Sequence, residues 1–188
     1  VSSRRQRQMC IRDRSIIFNL ISKYRRRKLS KTSWKPSVKT IVVGNITVGG
    51  NGKTPFVIWL VNTLKRSGFK PGVISRGYKS TSKKFPLHID SNTDVYHSGD
   101  EAKIISNSTN CPVVVGPKRV NSAKYLLDNF DCDVLITDDG LQHYALGRDI
   151  EIAMVDGIKK FGNQLTLPAG PLSCLLYTSP SPRDSLSS

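Results

Sequence analysis

The segment that most constrains the fold is residues 40–66, where an apolar β-branched run, Thr40-Ile41-Val42-Val43, leads through a glycine-rich turn into a helical pattern. The run reads as a buried parallel strand. After Pro55, Phe56, Val57, Leu60, Val61 and Leu64 recur at helical spacing, and Ser67-Gly68 with Pro71 beyond supplies a stop. Between them Thr47-Val48-Gly49-Gly50-Asn51-Gly52-Lys53-Thr54 has the chemistry of a phosphate cradle. Its glycines let backbone N–H groups converge on phosphate oxygens, Lys53 can reach the outer phosphates, and the Thr54 hydroxyl can ligate Mg²⁺. The strict pattern places a glycine five residues before Gly52; this chain has Thr47 there, with Gly49 and Gly50 supplying the flexibility.

The rest of the chain repeats the alternation. Gly72 to Ser75, Pro86 to Ile89, Pro112 to Val115, Asp133 to Thr137 and Ile150 to Val155 read as strands, and Ala102 to Ile105 and Asn121 to Phe130 as helical stretches. Strands alternating with helices predict an α/β fold of the P-loop NTPase type, a largely parallel sheet with flanking helices and ligands at the strands' carboxyl ends. That geometry gives Asp138 and Asp139 their meaning, because an acid following an apolar strand is where such folds hold Mg²⁺ near the γ-phosphate. Paired acids before a glycine also occur in ordinary turns. Asp100 reads either as a general base for a substrate hydroxyl or as a helix N-cap. Arg76 and Arg119 follow strands and suit phosphate charge, whereas exposed cations are more often merely solvated. Gln142 and His143, just after the paired acids, are candidates to orient substrate or phosphate; a structural hydrogen bond is the competing reading for His143.

Charge is distributed unevenly. The 188-residue chain carries +15, of which residues 1–40 hold +12, leaving +3 for the remainder. A basic arm suits an anionic lipid surface, a solvated tail or nucleic acid, but aromatic interleaving is sparse there, with Phe18, Tyr24 and Trp34, so no nucleic-acid partner is expected. Residues 15–21 are too short to span a bilayer and, followed by a basic run, suit an interfacial helix or a small packed one. Cys10, Cys111, Cys132 and Cys174 form no metal-ligand spacing and suit a reducing compartment. Residues 1–14 and 173–188 shift to Arg/Gln-rich and Ser/Pro-rich composition and are expected to be non-native, in the manner of translated adapter sequence. The division expected is thus 1–14 non-native, 15–39 a basic membrane-proximal arm, 40–172 a P-loop kinase domain and 173–188 a non-native tail.

Taken in order, residues 43–55, Ser75-Arg76-Gly77-Tyr78, Gly99-Asp100-Glu101, residues 137–143, Val155-Asp156-Gly157, Phe161-Gly162-Asn163 and residues 167–172 resemble the tetraacyldisaccharide 4'-kinase family of lipid A biosynthesis. The resemblance implies ATP and Mg²⁺ as cofactors, and transfer of the γ-phosphoryl to the 4'-hydroxyl of an acylated glucosamine disaccharide 1-phosphate. It also implies an anionic membrane surface as partner and the cytoplasmic face of a Gram-negative inner membrane as location. By motif, residues 47–54 would hold ATP, Asp100 would act as base with Lys53 in the catalytic set, and Thr54, Asp138 and Asp139 would organise Mg²⁺. Arg76, Arg119, Gln142 and His143 would contact substrate or phosphate. The upstream anchor and the C-terminal half typical of the family are expected to be absent. A P-loop GTPase or ATPase switch is the alternative, against which stands the lack of an Asn-Lys-x-Asp guanine-reading motif. Dinucleotide binding is weaker still, for want of the third glycine of Gly-x-Gly-x-x-Gly.

Overall fold

In the computed structural model, the residues described are 20–22, 24, 28–29, 32–46, 52–77, 80–82, 84–90, 92–157, 163, 165 and 169–172. By contacts the chain divides into two units. The larger, residues 28–44 and 52–154, holds a six-stranded sheet of order β3-β4-β2-β5-β1-β6. The strands are β1 (Lys39–Asn45, whose last residue belongs to the smaller unit), β2 (Pro71–Ser75), β3 (Leu87–Ile89), β4 (Val113–Val115), β5 (Val134–Asp138) and β6 (Ile150–Met154). β1, β5, β2 and β4 pair in parallel, and β3 closes the edge antiparallel to β4. The helices are α1 (Lys53–Arg66), the short α2 (Val95–Ser98), α3 (Asp100–Thr109) and α4 (Arg119–Asn129). Every strand expected from the sequence is present within a residue or two; α2 was not expected, and α3 and α4 both begin two residues before the expected stretches.

The sheet is a middle layer because its strands are apolar on both faces. Alternate residues divide between two cores: Val73, Val113, Val115, Val134 and Ile136 pack with Val57 and Val61 of α1 and Ala102 and Ile105 of α3. Ile74, Val114 and Leu135 pack on the other face with Ala123 and Leu126 of α4. This is the period-two logic of a strand covered twice. Gly72 is required by the second core, since a Cβ there would lie 2.6 Å from Leu126 Cδ2 and 2.8 Å from Cys132 Sγ. The consequence for function is positional. Parallel pairing of β1 with β5, with Val43 opposite Asp138, brings the end of β5 beside the strand that feeds the glycine-rich turn.

The smaller unit comprises residues 1–27, 45–51 and 155–188. Among its described residues, Asn163 ties a turn by donating to the Ala169 carbonyl and accepting from the Leu165 amide, and Leu172 donates to Leu165. Residues 15–19, 23, 25–27 and 30–31 of the basic arm and residues 1–14 and 173–188 lie outside the described residues. Among the described residues no helix is long and apolar enough to cross a membrane.

Candidate active site

The site begins at the amino terminus of α1. Gly52 is its N-cap in the left-handed region (φ 69°), and no side chain caps the helix. A glycine adopts that conformation without Cβ strain, and an uncapped first turn leaves N–H groups and the positive end of the helix dipole facing outward. Lys65 and Arg66 sit in the last turn, where cations complement the dipole. Thr47, Val48, Gly49, Gly50 and Asn51 lie outside the described residues, so the described cradle is Gly52, Lys53 and Thr54.

Lys53 joins the cradle to β5. Its ammonium lies 3.0 Å from Asp139 Oδ1 and 3.9 Å from Asp138 Oδ1. The two acids, equivalent in the sequence, are not equivalent here. Asp138 ends β5 with its side chain 1% exposed, whereas Asp139 sits in a left-handed turn (φ 58°) with its side chain 57% exposed. Asp138 Oδ2 accepts from the Ser75 hydroxyl at 3.3 Å, while Oδ1 is buried without a hydrogen bond. Burial raises the Asp138 carboxyl to about 6; Lys53 and Arg119 pull it back, and Glu101 and Asp139 push it further. A buried carboxylate oxygen without a hydrogen-bond donor, followed in the chain by a second carboxylate that shares Lys53 with it, offers oxygen donors that fit a hard divalent cation. Gly140 completes the turn: a Cβ there would stand 2.7 Å from Thr137 and 3.1 Å from Val42, and its N–H donates to the Val43 carbonyl.

Arg119, expected to meet phosphate charge, is folded beneath this turn. It is 1% exposed, with Nη1 donating to the Gly116 carbonyl at 3.1 Å and Nη2 to the Asp138 carbonyl at 3.0 Å. Burial lowers its guanidinium to about 10, with Asp138 and Asp139 opposing that shift and Arg76 adding to it. Arg76 is exposed just past β2, close enough for its charge to act on both Arg119 and His143. His143 is half-buried, and burial, then Arg119, Arg76 and Arg148, depress its imidazole to about 4, so it is neutral near pH 7. Gln142 is exposed beside it.

Asp100 is the exposed first residue of α3. The N-cap is Gly99 (φ 81°), and no side-chain bond caps the helix, so Asp100 does not serve as the cap. Its neighbour Glu101 acts electrostatically on Asp138. Ser75 and Glu101 are thus members of the site that the motif reading left without roles. The signal for Ser75 was its place at the carboxyl end of β2, one strand from Asp138.

Comparison with known proteins fits this arrangement. The family model for tetraacyldisaccharide-1-P 4'-kinase, LpxK, matches residues 8–173. The chain belongs to the tetraacyldisaccharide 4'-kinase family. A family member from Vibrio campbellii is 52% identical over 161 residues, covering 84% of this chain and 48% of the relative. One from Nitrosococcus oceani is 54% identical over 132 residues, covering 70% and 39%. The crystal structure of LpxK from Aquifex aeolicus in complex with ATP superposes with a TM-score of 0.74 at 31% identity, covering 87% of this chain and 53% of that one. The chain spans about half the length of the curated tetraacyldisaccharide 4'-kinases it matches. Their names place them among kinases and give the switch-protein alternative no support.

Proposed function

We propose that this chain carries the nucleotide-binding part of an ATP-dependent kinase that phosphorylates the 4'-hydroxyl of tetraacyldisaccharide 1-phosphate in lipid A biosynthesis. The observation that carries this reading is Lys53. It stands at the open end of α1 within ion-pairing distance of Asp138 and Asp139, in a fold shared with an ATP-bound LpxK. Lys53 and the first amides of α1 would hold the outer phosphates, and Thr54, Asp138 and Asp139 would hold Mg²⁺. When bound, Mg²⁺ supplies charge neutralisation at the transferring phosphoryl group. Asp100 would take the proton of the 4'-hydroxyl as its oxygen bonds to the γ-phosphorus; the bond from that phosphorus to the β–γ bridging oxygen breaks, and ADP departs. Gln142, His143 and Arg76 would orient the acceptor or its phosphate. His143, neutral near pH 7, would do so as a hydrogen-bonding imidazole. The basic arm would rest on an anionic membrane surface, which sets the reaction at the cytoplasmic face of the inner membrane.

The test is phosphate transfer from labelled ATP to the acylated disaccharide. It is run with this chain and with the chain joined to the C-terminal half of the Vibrio campbellii relative. The joined protein is expected to label the lipid; ATP hydrolysis without lipid labelling would overturn the assignment. Asp100→Asn is expected to cut transfer far more than ATP binding, and an equal loss of both would make Asp100 structural.

A further inference from the structure

Beyond the groups that face the nucleotide, Arg148 is tied to the loop after the paired acids in a way neither the motifs nor the family names address. Its guanidinium sends Nη1 to the Leu141 carbonyl at 3.1 Å and Nη2 to the His143 carbonyl at 2.8 Å. Those two carbonyls belong to the peptide planes on either side of the Gln142–His143 pair, so one rigid fork fixes the backbone that aims both side chains. Nη1 also meets Glu151 Oε1 at 2.9 Å, and the guanidinium carbon stands 5.4 Å from the centre of the Tyr144 ring. The side chain is 13% exposed, so its bonds are shielded from much of the competition of water.

The fork is itself held. Thr40 and Asp149 are joined twice, since Thr40 N–H donates to Asp149 Oδ2 and Asp149 N–H donates to the Thr40 carbonyl, both at 2.9 Å. Gly147 donates to the Trp34 carbonyl and Trp34 to that of Ala145. Residues 145–149 are thus stitched to the entry and first residues of β1. Arg148 projects from this fixed segment onto a loop in which His143 N–H donates to the Gly140 carbonyl and Leu146 N–H to that of His143.

We propose that Arg148 is a positioning residue for the kinase site: it sets the conformation of the Gln142–His143 loop relative to Asp138 and Asp139 without touching nucleotide or acceptor. Arg119 does the corresponding task from below at the Asp138 carbonyl, so two guanidinium groups prop three carbonyls of one loop. The proposal rests on the kinase reading for its consequence in catalysis, but not for its geometry.

The experiment compares Arg148→Ala, Arg148→Lys and Glu151→Gln with the parent chain by amide hydrogen exchange, and in the chain joined to a C-terminal half by steady-state kinetics. Lysine keeps the charge but cannot span two carbonyls. Both Arg148 variants are expected to lose about tenfold or more protection at the His143 and Leu146 amides while the β5 amides stay unchanged. Glu151→Gln, which leaves the fork intact, should remain within about twofold of the parent at those amides. In transfer assays both Arg148 variants should lower kcat by about 10- to 100-fold, with KM for ATP changed less than about threefold. Parent-like protection and kcat in Arg148→Lys would overturn the proposal in favour of a simple charge effect. Loss of protection throughout β5 would overturn it in favour of a general structural role. If the parent joined protein fails to phosphorylate lipid, the kinase reading falls, and the exchange comparison still decides what Arg148 holds.

Discussion

At its amino end β5 meets its charges in water, and at its carboxyl end it meets them in the protein. Asp131 and Asp133 lie just before the strand: Lys70 pairs with Asp131, their side chains 62% and 85% exposed, and the Lys70 amide donates to Asp133 at 2.7 Å. Five residues of strand later, Asp138 is enclosed between Lys53, Ser75 and the turn propped by Arg119. The same residue types therefore do different things. At the exposed end each ion has water as an alternative partner, and a pair contributes little to folding. At the enclosed end the carboxylate has lost its hydration, its acidity has weakened to about 6, and the protein carries that cost in the free state. A protein gains from such an arrangement only when something binds to relieve it, and under the proposed function that is a divalent cation with nucleotide phosphates.

The largest effect should come from removing the cation that joins cradle and acids. Lys53→Ala is expected to weaken ATP binding about 1,000-fold, roughly 4 kcal/mol, as measured by calorimetric titration. Asp138, having lost the Lys53 charge that pulls its pKa down, should titrate above its present value. ATP affinity within threefold of the parent would break the comparison, because Lys53 would then be one more ion pair of the amino-end kind.

Next comes the pH dependence of the metal-free chain. Asp138 titrates at about 6 when folded and near the ordinary aspartate value of ~3.9 when unfolded. Below about pH 4 both states are protonated and no penalty exists. As pH rises through 6, folding must bury a charge that the unfolded chain keeps in water. The chain should therefore lose on the order of 3 kcal/mol of stability from this group between pH 4 and 7. Asp138→Asn should abolish that slope in denaturant titrations, while weakening Mg²⁺-dependent ATP binding. Asp149, at the opposite end of the sheet, has its carboxyl lowered by the Thr40 amide and should show the opposite sign: its contribution is present above the unfolded value and is lost as pH falls. A parent chain whose Asp138-dependent stability rises with pH would contradict the burial argument.

A smaller effect is expected from Arg119→Lys, because lysine retains the charge but cannot serve the Gly116 and Asp138 carbonyls together. Leaving a buried carbonyl unpaired should cost about 2 kcal/mol, visible as a lower denaturation midpoint with an unchanged slope. An arginine that served only to meet phosphate would lower ATP affinity and leave the midpoint alone.

Arg119 also marks where the sequence stopped being legible. The strands were readable because both faces are covered, so β-branched runs such as residues 134–137 stand out, and the acids could be placed because they follow such a run. Arg119 was misplaced because the helix was read from Asn121. Begun at residue 119, the stripe is Arg119, Ser122, Ala123 and Leu126, all buried, and the arginine falls on the inner face. The difference between Asp138 and Asp139 carried no sequence signal, since it depends on which side of a turn each lands and on Ser75 arriving from another strand. Arg148 had none either: a lone arginine between Gly147 and Asp149 shows its role only once the chain folds back on residues 141–143.

The smallest effect is the sharpest control. Lys70→Ala deletes an ion pair whose bond to Asp131 is short in the structure; that hydrogen bond first, and then the charge of Asp131, raise the pKa of the Lys70 ammonium. By geometry alone it would rank above Lys53, which stands 3.9 Å from Asp138. If burial rather than distance decides what an ion pair contributes, Lys70→Ala should leave thermal midpoint and ATP affinity within experimental scatter of the parent, and added salt should erase any residual difference. A midpoint shift as large as that of Arg119→Lys would mean that the amino-end pairs hold the sheet together after all, and the contrast between the two ends of β5 would have to rest on nucleotide binding alone.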